Sequence, residues 1–185
     1  MQPRVTHAPC MIGPTAERPR RRHPARARGG AEHRPRTGLR APEVDPVPLL
    51  LVDDSPQFVR VARRVLERAT PRFAVHVVGT GEDALAFLRQ ESPFTDAPRP
   101  HFVLLDFNLP DLNAPTVLRR AMQDDDLRSI PFLVLTQTPW PDDHAAARAA
   151  GAAAYRAKPS RVGALRDIVS EFWRAHRHAG DDPPR

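Results

Sequence analysis

The sequence predicts an α/β fold built on a single doubly wound parallel sheet. Five short apolar runs alternate with five segments of helical periodicity, and four of the runs end in a polar residue able to do chemistry. An apolar content of 41% in 185 residues is enough for one buried core and leaves little for a second. Right-handed crossovers between parallel strands leave few other ways to arrange such units.

The first strand is Leu49, Leu50, Leu51 and Val52, apolar throughout as a strand covered on both faces must be, and it runs into Asp53 and Asp54. Ser55 is placed to cap a helix with Pro56 at its first position, and Val59, Ala62, Val65, Leu66 and Ala69 recur at helical spacing. Phe73, Val75 and Val77 alternate as a second strand, and Gly81 opens a helix carrying the stripe Ala84, Leu85 and Leu88. Residues 92–100, with Pro93, Pro98 and Pro100, are expected to form a loop.

A third strand spans residues 101–105 and ends in Asp106, and Pro115 starts the third helix. Residues 130–135 make a fourth strand ending in Thr136, and a fourth helix over residues 142–150 is closed by Gly151. Residues 153–157 form the fifth strand, which ends in Lys158 and Pro159. The last helix is expected over residues 160–178, with Val162, Leu165, Ile168, Val169 and Phe172 on one face.

Charge separates the folded part from the rest. Residues 1–48 hold 10 Arg against 4 acidic residues, whereas residues 49–185 hold 18 basic against 18 acidic. The first 48 residues also contain nine prolines and few large apolar side chains. Such a segment cannot bury enough surface to offset about 1 to 2 kcal/mol of backbone entropy per residue. The expected organisation is a disordered Arg/Pro-rich extension over residues 1–47, a folded domain over 48–178 and a tail over 179–185. A nucleic-acid-binding arm and a targeting peptide are the functional alternatives for the extension. No aromatic residue is interleaved there to stack on bases, and the prolines break any amphipathic helix, so nucleic acid is not expected as a partner.

The single cysteine, Cys10, excludes an intrachain disulfide or a cysteine-built metal site. No apolar run approaches the roughly 20 residues of a membrane span, and Pro and Arg replace the apolar block of a secretory signal. A cytoplasmic protein without membrane contact is expected.

The carboxyl ends of strands in an open parallel sheet face one crevice, where such folds bind ligands. Asp53, Asp54, Asp106, Thr136 and Lys158 would converge there. Taken singly, Asp53 and Asp54 read as helix-capping residues, and Asp106 or Thr136 as a cap or turn residue. Together they read as a site. Carboxylates about 4 Å apart repel by roughly 4 kcal/mol per pair at an effective dielectric of about 20, which calls for a divalent cation. Magnesium suits hard oxygen ligands and commonly completes its shell with phosphate oxygens. Lys158 is the only lysine in the chain, a choice that either reflects chance or a need for a compact ammonium where Arg would not serve.

These residues resemble the receiver domains of two-component response regulators. The resemblance rests on Leu49-Leu50-Leu51-Val52-Asp53-Asp54-Ser55, Val103-Leu104-Leu105-Asp106-Phe107-Asn108-Leu109-Pro110, Val134-Leu135-Thr136 and Tyr155-Arg156-Ala157-Lys158-Pro159, in the family's order and spacing. It implies a flavodoxin-like sheet with strand order 2-1-3-4-5. By the resemblance Asp106 accepts a phosphoryl group from a sensor histidine kinase. Asp54, Asp106 and the backbone carbonyl of Asn108 ligate magnesium, and Asp53 holds a metal-bound water. Lys158 pairs with the phosphoryl oxygens, while Thr136 and Tyr155 act as the switch pair. The Lys158-Pro159 bond is expected to be cis.

Residues 92–100, the Asn108-Leu109-Pro110 string and the stand-alone architecture also look like the small regulators that serve phytochrome-type kinases. Those relatives often form homodimers through the last helix, where Phe172 and Trp173 offer adjacent aromatic residues; the alternative is that both belong to the core. Two positions depart from the family's habit: Gln137 stands where a small residue is usual, and Ala114 where glycine is common. A phosphatase forming its own aspartyl-phosphate would need a second carboxylate two residues beyond the nucleophile, and Asn108 occupies that place. A receiver regulating a nucleic-acid-binding tail, or acting as an unphosphorylated docking module, are the remaining alternatives. His176 and His178 lie near a helix end and are given no role.

Overall fold

The structure, a computed structural model, describes residues 45–177 apart from the side chain of Val162. Nearly all of the expected Arg/Pro-rich extension, with Cys10, and the segment from His178 onward lie outside the described residues. The elements are β1 (Val47–Val52), α1 (Pro56–Leu66), β2 (Phe73–Val78), α2 (Gly81–Leu88), β3 (Phe102–Asp106), α3 (Ala114–Met122), β4 (Phe132–Thr136), α4 (Pro141–Ala149), β5 (Ala154–Ala157) and α5 (Val162–His176). The strands pair in parallel in the order β2-β1-β3-β4-β5, as the resemblance implied.

The two-residue period of a strand divides the core into two layers. Leu50, Val52, Val103, Leu105, Phe132 and Val134 point to one face, where α2, α3 and α4 cover them with Leu85, Leu118 and Ala147. Leu49, Leu51, Phe102, Leu104, Leu133 and Leu135 point to the other, covered by Leu66 of α1 and Leu165, Val169 and Phe172 of α5. Each large side chain withdrawn this way contributes about 1.5–3 kcal/mol.

β1 begins at Val47, two residues before the Leu49 expected from the sequence, because a proline near a strand start can leave the ladder intact. The Val47 N–H donates to Arg72 O at 2.8 Å, while pairing with β3 starts only at Leu49 opposite Phe102. The missing N–H of Pro48 therefore interrupts no rung.

Side-chain caps fix where three helices start. Ser55 accepts from the Phe58 N–H, Thr80 from that of Asp83 and Asn113 from that of Thr116. Ala114, where glycine is common, sits buried in the first turn of α3 and needs no left-handed backbone. Gly151 does need it: its φ is 106°, and a Cβ there would lie 2.6 Å from Met122 Cγ, so it ends α4 and lets α3 approach.

Of the two readings of Phe172 and Trp173, dimer face or core, their burial favours the core. Phe172 and Trp173 are only 5% and 4% exposed, and both belong to the core. Phe102 packs against both rings, at 5.6 and 6.2 Å between centroids. A buried helical stripe takes positions i, i+3 and i+4, so Val169 brings both aromatics inward. Among the described residues the exposed large apolar side chains are Val61 and Trp140, the latter 62% exposed between β4 and α4.

Candidate functional site

Four strand ends bring the expected residues together. Lys158 Nζ lies 2.7 Å from Asp106 Oδ2 and 2.8 Å from Asp53 Oδ2, with its side chain only 4% exposed. Carboxylate oxygens of Asp53, Asp54 and Asp106 all lie within 4.8 Å of one another; Asp53 and Asp106 are buried and Asp54 is exposed. The ammonium is held from behind by the ring of Phe58, 4.8 Å from its centroid, and by its own main chain, whose N–H donates to Thr136 O at 2.6 Å.

Three carboxylates against one ammonium leave the nest short of positive charge. Burial raises the Asp106 pKa above the ordinary carboxylate value, and the Asp53 charge adds to this; the Lys158 ammonium and the Asn108 N–H oppose it without cancelling it. Asp53 Oδ1 accepts from the Ser55 N–H at 3.0 Å, but buried Oδ2, though ion-paired with Lys158, accepts no hydrogen bond of good geometry. An under-satisfied buried oxygen beside two further carboxylates fits a hard divalent cation such as magnesium.

The two residues expected to act as the switch, Thr136 and Tyr155, are both inside. Thr136 is buried at the end of β4, and its hydroxyl donates to Thr138 O at 3.2 Å, while Gln137 beside it is exposed. The Tyr155 ring packs edge-on against Phe107 at 6.0 Å and, tilted, against His144 at 5.3 Å; its buried hydroxyl has no hydrogen-bond partner among the described residues.

The expected cis bond at Lys158-Pro159 is corrected. The cis bonds of the described residues are Thr70-Pro71 and Ser92-Pro93. An X-Pro bond prefers trans by only about 0.5–1 kcal/mol, so contacts decide, and here the trans chain already delivers Nζ to both carboxylates.

Two contributors were missed by sequence reasoning. Phe58 lies on the first turn of α1, where a lone aromatic one turn past Ser55 was the available signal. Asp111 Oδ1 and Oδ2 accept from the Gly81 and Glu82 N–H groups at 2.8 and 2.9 Å, a contact between segments about thirty residues apart that no local pattern announces. Asn108 lies in the same connection, bridged to Asn113.

Comparison with known proteins agrees with this geometry. The family described as response regulator receiver domain matches residues 49–170. The chain is 38% identical over 98 residues to response regulator Rcp1 of Synechocystis sp., covering 53% of this chain and 67% of that protein. The solved Mn(2+)-bound form of Rcp1 superposes with a TM-score of 0.63 at 30% identity, covering 76% of this chain and all of that one. The phosphorylated cyanobacterial phytochrome response regulator RcpA superposes with a TM-score of 0.65 at 28% identity, again covering 76% of this chain. With the matched family spanning β1 to α5 and the strand-end residues gathered in one nest, the chain belongs to the response regulator receiver domain family.

Proposed function

We propose that the protein is a cytoplasmic response regulator that accepts a phosphoryl group on Asp106 from a sensor histidine kinase, in a magnesium-dependent reaction. The observation that carries the reading is the placement of Lys158 Nζ against both Asp106 and Asp53 with Asp54 in the same cluster. A carboxylate oxygen of Asp106 attacks the phosphorus of a phosphohistidine in line, the P–N bond breaks, and the imidazole nitrogen leaves with the electron pair. Lys158, held by Phe58 and its backbone bond to Thr136, stabilises charge on the phosphoryl oxygens. Thr136 exchanges its bond to Thr138 O for one to a phosphoryl oxygen, with Tyr155 packed behind it.

Asp54, Asp106 and the Asn108 carbonyl would hold magnesium, with Asp53 on a bound water. The cation supplies charge neutralisation between the carboxylates and the incoming phosphoryl group. Among the described residues no helix is long and apolar enough to cross a membrane. Similarity to a cyanobacterial phytochrome response regulator supports a bacteriophytochrome-type kinase as the donor.

The test is intact-mass measurement after incubation with magnesium and acetyl phosphate. The protein is expected to gain one phosphoryl mass and Asp106→Asn none; equal gain by both would overturn the reading. Faster transfer from a phosphorylated bacteriophytochrome kinase than from unrelated kinases is the expected result for the photosensory link.

A further inference from the structure

The connection from β3 to α3 is pinned at both ends. The Phe107 N–H donates to Leu135 O at 2.8 Å, the Ala114 N–H donates to Phe107 O at 3.0 Å, and Asn108 bridges Asn113. At its apex the Asp111 carboxylate grips the start of α2 through the Gly81 and Glu82 N–H groups, at 2.8 and 2.9 Å. Thr80 already caps that helix on the Asp83 N–H, so Asp111 adds two charge-assisted bonds at the positive end of the helix dipole. The approach is as close as a backbone allows. A Cβ on Gly81 would lie 2.8 Å from both Leu112 Cβ and Val117 Cγ2, so only glycine lets the connection sit there.

We propose that Asp111 is a positioning residue: by clamping the β3 to α3 connection onto α2 it sets where the Asn108 main chain stands beside the acidic nest, and so sets cation affinity. The inference rests on Asp106 being a magnesium-dependent phosphoacceptor. Asp111 itself is exposed and three residues beyond Asn108, so it acts through the connection and not on the cation. Changes behind metal ligands commonly cost about 10–100-fold in metal affinity.

The experiment is calorimetric titration of magnesium into the full chain, the Asp111→Ala variant and the Asp111→Asn variant, paired with acetyl phosphate labelling across magnesium concentrations. Asp111→Ala is expected to bind magnesium about tenfold more weakly and to recover labelling at saturating magnesium. Asp111→Asn, which keeps one acceptor oxygen, is expected to fall between. A merely structural role would lower the melting temperature and leave magnesium affinity intact, and that result in either variant would overturn the inference alone. Failure of the unaltered protein to bind magnesium would instead overturn the phosphoacceptor reading, and this inference with it.

Discussion

At the scale of single residues the acidic nest is held together against its own repulsion. Burial and the Asp53 charge raise the folded-state pKa of Asp106 above its unfolded value, despite Lys158. A carboxyl whose pKa rises on folding binds its proton more readily in the native state, so stability falls as pH climbs through the window between the two values. Above that window, and without divalent cation, Asp106→Asn is expected to melt higher than the unaltered protein. Below the ordinary carboxylate range the two should converge. Thermal scans at several pH values check both. Asp111 behaves oppositely: burial works to raise its pKa, but the N–H donors of Gly81 and Glu82 outweigh that and hold it below the usual range. Its contribution is therefore present above the unfolded pKa and is lost only as pH falls through the depressed value.

At the scale of elements, helix starts carry much of the local definition. Asn113 accepts from both the N–H and the hydroxyl of Thr116, at 3.1 and 2.7 Å, and ends the connection that carries Asn108. Asn113→Ala should remove about 1 kcal/mol of stability, readable as a lower urea midpoint with unchanged slope. The site was legible in the sequence because strands run into residues of distinct chemistry, carboxylates at β1 and β3, a hydroxyl at the end of β4 and a lysine after β5, and Asp53, Asp54, Asp106 and Lys158 do meet. What escaped was of two kinds. Trp173 stays open between core and dimer face in the sequence because a single helical stripe does not by itself place two adjacent aromatics, and Pro48 hides the start of β1 because the side on which its neighbour strand begins is a tertiary fact. The clamp from Asp111 to α2 and the isomer of Lys158-Pro159 escaped because partners distant in sequence, or small energy differences, decide them.

For the molecule as a whole, the charge asymmetry predicts a separable domain. The segment from residue 49 onward carries 18 basic and 18 acidic residues, so the basic excess lies upstream of the described fold. A protein starting at Asp45 is expected to keep the melting temperature of the full chain and its acetyl phosphate labelling. Any affinity for a nucleic-acid duplex that the full chain shows should vanish in it and weaken steeply with salt. Retained affinity would place the basic contact within the folded domain.

The two tryptophans stand in opposite settings, Trp140 in solvent past the end of β4 and Trp173 within the layer under α5. Native emission is thus a ready-made pair of optical reporters needing no dye. Acrylamide should quench a red-shifted component from the exposed indole of Trp140 and spare a blue-shifted one from Trp173. If phosphorylation moves the start of α4, altered quencher access will report it, with Trp140→Phe as the blank.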